Sequence, residues 1–285
     1  MRSFVIVGLL LAAFLAGCGG DGSEPSGAPP ESAGNSSEGL AHIHGLGVSD
    51  DKLYIATHYG LWIAPRGQLK ARRFSNSRQD IMGFSLVSEN RFIGSGHPDP
   101  ADSGQPPNLG LIESRDGGRT WKNVSLLGEA DFHVLEAAGN QVYGVNSADG
   151  RLMASADGAR SWQARTPPAG VFGLAIDERD PRRVVASTEK GVFASPNAGR
   201  GWRPLRDDVG GLLAWPRPDA LYLLGADGAV QVSRDGGREW NPTGNIGGQP
   251  AAFIAHRDEL YAALHDGTVK VSTDGGKTWT LRAIP

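Results

Sequence analysis

The chain of 285 residues holds one cysteine, Cys18. A lone thiol near the N-terminus leaves nothing downstream for a disulfide, a cysteine nucleophile or a cysteine metal site, which excludes thiol and redox chemistry from the folded part. Charge of one sign is equally scarce: 28 basic residues face 31 acidic ones, and no basic block interrupts the sequence. Nothing here would neutralise a phosphate backbone, so nucleic acid is not an expected partner. Long hydrophobic runs are missing too, because even the stretch from Phe4 to Phe14 falls short of the roughly 20 apolar residues that a membrane-spanning helix needs.

That short run has another meaning. Arg2 precedes it and Leu15-Ala16-Gly17-Cys18 follows it, the pattern of an export signal ending in a lipobox over residues 1–18. Cleavage before Cys18 and lipidation of Cys18 are the expected outcome, which would anchor the chain to the cell membrane or envelope and place the rest outside the cytoplasm. Residues 19–40 are mostly Gly, Ser, Pro and Glu. Such a segment cannot bury enough surface to offset chain entropy and reads as a flexible tether. Residues 41–285 are long enough for one sizeable core, and their short apolar runs between glycines point to an all-β domain, expected to be monomeric.

Five segments of this domain share a spelling: SRDGGRTW from Ser114, SADGARSW from Ser155, SPNAGRGW from Ser195, SRDGGREW from Ser233 and STDGGKTW from Ser272. Their starts lie 41, 40, 38 and 39 residues apart. A period near forty with short strands between turns predicts propeller blades of four strands. Asp116, Asp157, Asn197, Asp235 and Asp274 can each fold back onto backbone N–H groups of a tight turn, the neighbouring glycines permit positive φ, and the tryptophan packs between sheets. These acidic residues are therefore expected to hold the fold, at the turn joining third and fourth strands. The same grammar upstream of the first box, His42 to Val48, Lys52 to His58 and Gly60 to Ala64, makes a blade without its own box and brings the total to six. Residues 279–283 complete the last blade, and no strand exchange closing the ring can be read.

The spelling resembles the Asp-box, or BNR, repeat of sialidases, sortilin-type receptors, certain glucanases and a propeller factor of photosystem II assembly. Residues 41–285, with HIHGLG, ATHYGLW, SGHPDP and SLLGEADFH in order, are similar to a group of exported bacterial lipoproteins termed sialidase-like or glycosyl hydrolase-like for their Asp-boxes. The resemblance implies a fold and leaves the activity open. A sialidase would carry an arginine triad, a tyrosine nucleophile and an acid/base aspartate. This sequence has no Arg-Ile-Pro, places His-Ile-His and Gly-Ser-Gly-His where channel-facing arginines would stand, and offers Tyr59 as the nearest tyrosine, so sialidase activity is not expected.

Propeller topology puts the start of each inner strand beside the end of each second strand, at one mouth of the central channel. Aligned inner strands read HIHGLGV, DIMGFSLV and DFHVLEA, and alternation places His42 with His44, Asp80 with Met82, and Asp131 with His133. The aligned ends of the second strands carry His58, His97 and His265. Six of the seven histidines thus fall on one face in one sector, with His256 alone at the opposite face. Imidazole suits Cu, Zn and Ni, a thioether at Met82 favours Cu(I), and Asp80 or Asp131 could ligate or orient a histidine. The expected cofactor is therefore a transition metal ion, Cu or Zn. Blade two carries an extra Pro-rich stretch, residues 98–110, on the same face beside His97, read as a lid or partner-binding loop.

Three functional classes stay open. A surface-tethered binding protein with the histidine site is the first. A glycoside hydrolase-like enzyme using Asp80, Asp131 and Asp99 is the second. The third is a scaffold or assembly factor holding another exported protein or a glycan at its rim.

Overall fold

The computed structural model describes residues 42–207 and 209–285. The signal segment, Cys18 and the tether lie outside the described residues. Among the described residues no helix is long and apolar enough to cross a membrane, and all regular elements are strands.

Six antiparallel sheets of four strands follow one another along the chain. Blade one is β1 (Ile43–Ser49), β2 (Lys52–Thr57), β3 (Gly60–Pro65) and the short β4 (Arg72–Arg73). Blade two is β5 (Asp80–Ser88), β6 (Arg91–His97), β7 (Leu111–Ser114) and β8 (Lys122–Ser125). Blade three is β9 (Phe132–Ala138), β10 (Gln141–Asn146), β11 (Leu152–Ser155) and β12 (Gln163–Arg165). Blade four is β13 (Val171–Ile176), β14 (Val184–Thr188), β15 (Gly191–Ser195) and β16 (Arg203–Arg206). Blade five is β17 (Gly211–Arg217), β18 (Ala220–Gly225), β19 (Ala229–Ser233) and β20 (Asn241–Asn245). Blade six is β21 (Pro250–His256), β22 (Glu259–Leu264), β23 (Val269–Ser272) and β24 (Thr280–Ala283). The inner strands β1, β5, β9, β13, β17 and β21 touch in that order, and β21 touches β1 again, so the six-bladed β-propeller expected from the repeat closes into a ring.

Each blade is packed on both faces, which is why the second strands read as unbroken apolar runs. In β2, Leu53, Tyr54, Ile55 and Ala56 are all buried. The core is accordingly six clusters, each between adjacent blades: five take one tryptophan each, Trp62, Trp121, Trp162, Trp202 and Trp279, and the cluster between blades four and five takes Trp215 and Trp240.

The Asp-box turns sit between third and fourth strands, and their bonding is local. Asp116 Oδ1 accepts the Ser114 hydroxyl at 2.7 Å and the N–H groups of Arg119 and Thr120 at 3.0 and 2.9 Å, while Oδ2 accepts the Thr120 hydroxyl at 2.7 Å. Asp157 and Asp274 repeat all four bonds. Asp235 repeats the first three, and Asn197 accepts from the Ser195 hydroxyl and from Gly201 N–H.

The ring closure left open by the sequence is a bridge of one residue. Ile284, just past β24, pairs in parallel with Lys70 ahead of β4, through Ala71 N–H to Ile284 O and Ile284 N–H to Leu69 O, both 2.9 Å. Arg282 adds a buried bond from Nη2 to Ala64 O at 2.8 Å. In blade one the stretch between third and fourth strands, residues 66–71, has no Asp-box and carries this bridge to the end of blade six.

Candidate functional site

At the start of the inner strands the ladder is irregular in the same way in several blades. The register slips by one residue at His44 in β1, at Met82 in β5, at His133 in β9, at Phe172 in β13 and at Ala251 in β21. A bulge leaves one residue unpaired and re-aims its side chain. All five line a cavity of about 340 Å³ at this mouth of the channel. Three successive blades put His44, Met82 and His133 there, and the facing blades put Phe172, Leu212 and Ala251 there. The mouth thus carries imidazole and thioether groups on one side and apolar side chains on the other.

Glycines let the backbones come this close. A Cβ on Gly83, next to Met82, would collide with the carbonyl oxygen of Phe132 in the neighbouring inner strand. Gly96, next to His97, has φ +142°, and a side chain there would meet the Asp80 carbonyl.

The side chains form two adjacent groups. In the first, His44 and His58 meet edge to face at 4.4 Å between ring centroids, and His42, at φ +56°, lies 4.9 Å from His58. His58 Nδ1 donates to Asp80 Oδ2 at 2.7 Å, which leaves Nε2 as the lone-pair nitrogen. Ligand atoms of His44, His58 and Asp80 all lie within 4.8 Å of one another. His44 Nε2 and Asp80 Oδ1 are buried without a hydrogen-bond partner. Burial, helped by the neighbouring rings of His58, His133 and His42, pushes the His44 pKa down to about 4, so its ring is neutral at ordinary pH.

In the second group Asp131 is the hub. Its Oδ2 accepts from His133 Nε2 at 2.9 Å and from the Ser147 hydroxyl at 2.7 Å, and His97 Nε2 lies 3.9 Å away. Burial alone would raise this carboxyl, but the hydrogen bonds from His133 and Ser147 outweigh it and hold the pKa below the usual value. The same bond to Asp131 raises that of His133. His97 Nδ1 donates to Pro107 O at 2.8 Å, which ties the blade-two loop to the mouth. Asp99, in that loop, accepts from the backbone N–H groups of Ala101 and Arg78 at 3.0 and 2.7 Å and acts as a loop clasp.

Of the nine residues singled out in the sequence, His42, His44, His58 and Asp80 come together, His97, His133 and Asp131 stand beside them, and Met82 shares the cavity. His265 is exposed past the end of β22, and no side-chain contact joins it to either group among the described residues. The sequence reading missed Asn146 and Ser147, whose side chains fix the Asp131 backbone and carboxylate. A signal was present, since Ser147 occupies in blade three the strand-end position of His58 and His97, with Asn146 just before it.

The BNR/Asp-box repeat family model matches residues 270–281, the last of the five boxes. No curated protein matches the chain at a significant level. Among solved structures, a chain of the nidogen/laminin complex is similar with a TM-score of 0.62 at 14% identity, covering 82% of this chain and 93% of its own. YCF48 from Cyanidioschyzon merolae is similar with a TM-score of 0.51 at 16% identity, over 86% of this chain and 85% of its own. An ancestral GH74 enzyme is similar with a TM-score of 0.54 at 15% identity over 81% of this chain, which spans only 34% of that enzyme. These likenesses are of fold, and the neighbours include both binding proteins and enzymes. The chain is a six-bladed β-propeller of BNR/Asp-box repeats.

Proposed function

We propose that the protein is an extracytoplasmic binding protein, tethered through a lipid on Cys18, that captures one Cu or Zn ion at the histidine mouth of its channel. The observation that carries this reading is the set His44, His58 and Asp80, whose ligand atoms lie within 4.8 Å of one another with one nitrogen and one oxygen buried and unpartnered. Buried polar atoms without a partner are costly, and an ion satisfies both at once. Asp80 Oδ2 holds the His58 ring in place through Nδ1, and the other Asp80 oxygen, Oδ1, is the one left for an ion. A first shell needs metal–ligand distances of about 2.0–2.2 Å, so the three atoms close slightly around the ion. Met82 on the same cavity wall supplies a soft thioether, which favours Cu(I).

Metal analysis and calorimetry on the full-length protein in detergent test this. About one equivalent of Cu or Zn is expected, with affinity lost as pH falls toward about 4, where the His44 ring protonates. A His44→Ala, His58→Ala double variant is expected to lose the ion while keeping its far-UV spectrum. Undiminished binding by that variant would remove the proposal.

A second reading, a scaffold for another exported protein, draws on the nidogen/laminin complex among the similar structures and on the loop at residues 98–110, pinned beside the mouth by His97. It predicts partner capture that survives removal of metal.

A further inference from the structure

On the face opposite the histidine mouth, a cavity of about 460 Å³ opens at the seam between blades two and three. Four local pieces wall it. The β5–β6 turn brings Ser88, Asn90 and Arg91, the end of β7 brings Arg115, the β9–β10 turn brings Asn140, and the Asp-box turn of blade three brings Arg160. All six side chains can donate hydrogen bonds, the three arginines carry a fixed positive charge, and none is a carboxylate or a hydrocarbon. In a chain whose net charge is −3, this is a local excess of the other sign.

The carboxylates nearby either organise the arginines or stand aside. Glu113, in β7, accepts from Arg91 Nε and from Arg115 Nε, both at 2.6 Å. That holds two guanidinium groups on one carboxylate and leaves their Nη edges without a partner among the described residues. Arg160 Nη1 donates to Asp157 O at 2.7 Å, so this third group is held by its own turn with Nη2 free. Asp116 and Asp157 commit their carboxylate oxygens to their own turns, and Glu89 lines the neighbouring cavity with Asp50 and Asp51. A Cβ on Gly158 would meet Arg91 Nη2 and Arg160 Nη1, each at 3.4 Å, and Asn140 Oδ1 at 3.6 Å, so groups from two blades converge on one point.

Like charges held this close repel, and an anion between them removes the repulsion while taking up the free Nη donors. Three guanidinium groups against the one carboxylate of Glu113 leave an excess of two positive charges. A phosphate monoester matches that excess, at about −1.5 to −2 near pH 7, and a carboxylate or a sulfate ester, with a single charge, does not. A carboxylate also offers only two oxygens in one plane, whereas donors arriving from Arg91, Arg115 and Arg160 call for a non-planar array. The phosphate group would fill only part of the cavity, since a water molecule's share of liquid volume is about 30 Å³. Ser88, Asn90 and Asn140 line the rest, and their hydroxyl and amide groups suit a hydroxylated body.

We propose that this seam binds a phosphate monoester of a hydroxylated molecule, of the sugar phosphate class, with the phosphate on Arg91, Arg115 and Arg160 and the body along Ser88, Asn90 and Asn140. The site is independent of the metal reading: Arg91 and His97 stand at the two ends of β6, about 20 Å apart at the rise of a strand.

Calorimetry of the full-length protein in detergent, in Tris chloride near neutral pH with chelator present, tests this with glucose 6-phosphate, glucose 6-sulfate, inorganic phosphate and glucose. One glucose 6-phosphate is expected per chain, about tenfold tighter than the sulfate ester or inorganic phosphate, with glucose silent. Arg115→Gln and Arg160→Gln, both at exposed positions, are each expected to lose about tenfold in affinity with the far-UV spectrum unchanged. Arg119→Gln is the control, because Arg119 holds the same place in the blade-two box, with Nη1 on Asp116 O, but lies outside this cavity. Its affinity is expected to match the parent. Equal losses in Arg119→Gln and Arg160→Gln would mean that overall charge attracts the phosphate, and would overturn the site. So would undiminished binding by the Arg115 and Arg160 variants, inorganic phosphate or the sulfate ester binding as well as glucose 6-phosphate, or no binding of glucose 6-phosphate.

Discussion

Asp116 shows what one side chain does in this repeat. Its carboxylate accepts four hydrogen bonds, and those from the Thr120 hydroxyl and N–H and from Ser114 hold its pKa well below the usual carboxylate range. A carboxyl depressed in the folded state adds stability above its unfolded pKa and loses it as pH falls through the folded one. Blade four is the natural control, because there Asn197 stands in the box and Gly201 replaces the hydroxyl that would use a second carboxylate oxygen. Asp116→Asn keeps Oδ1 as an acceptor for two backbone N–H groups and is expected to cost less than about 1 kcal/mol near neutral pH, with a weaker loss of stability in acid. Asp116→Ala strips the turn of its acceptor, as loss of a helix cap does, and is expected to cost about 1–2 kcal/mol. Denaturant unfolding of both variants at pH 7 and at about pH 2, below the unfolded carboxyl pKa, measures the difference; equal costs for Asn and Ala would show that Oδ1 is not what matters.

At the scale of the element, the box tryptophan makes a blade a neighbour rather than an isolated sheet. Trp121 leaves blade two and packs into the cluster of Tyr54, Leu61 and Ile63 from blade one and Phe84 and Phe92 from its own. Its ring is only partly buried, so Trp121→Ala is expected near the low end of aromatic truncations, about 3 kcal/mol, in thermal or denaturant unfolding. A cost under about 1 kcal/mol would mean the other aromatic rings carry that interface alone. Blade count, box positions and strand order were legible because each box is a local device, spelled within eight residues and satisfied by its own backbone. The histidine mouth was legible in part. Alternation placed His44 and His133 on the channel side, but the bulges that aim them depend on the neighbouring strand, and no period within one strand shows them. Asp131 was visible as a candidate, yet its partner Ser147 lies across a hairpin.

The whole molecule poses a problem that no blade solves alone: the first and last sheets must meet. A chain that keeps all four strands of blade six from its own C-terminal segment has no strand to exchange, and the sequence accordingly showed none. The structure joins the ends through apolar contact, with Ile43, Leu46 and Trp62 of blade one packed with Ala252, Tyr261 and Val269 of blade six, and through the parallel bridge at Ile284. The apolar cluster resembles the other five, so the bridge is what distinguishes this seam. Ile284 is 38% exposed, and its main contribution is its backbone. Replacing it by proline removes the N–H that bonds Leu69 O and leaves a part-exposed apolar side chain, as before. One lost backbone bond is worth about 1 kcal/mol, and in a domain of this size that lowers Tm by about 2–4 °C. The effect is expected to be uneven in space: hydrogen exchange of the Ala71 amide, which bonds Ile284 O, speeds up together with amides of β4 and β24, while amides of β9 to β16 on the far side of the ring stay as slow as in the parent. Exchange that speeds up equally in every blade would show that the ring opens as one cooperative unit and that the bridge is no seam; unchanged exchange at Ala71 would show that the apolar cluster holds the ends without it.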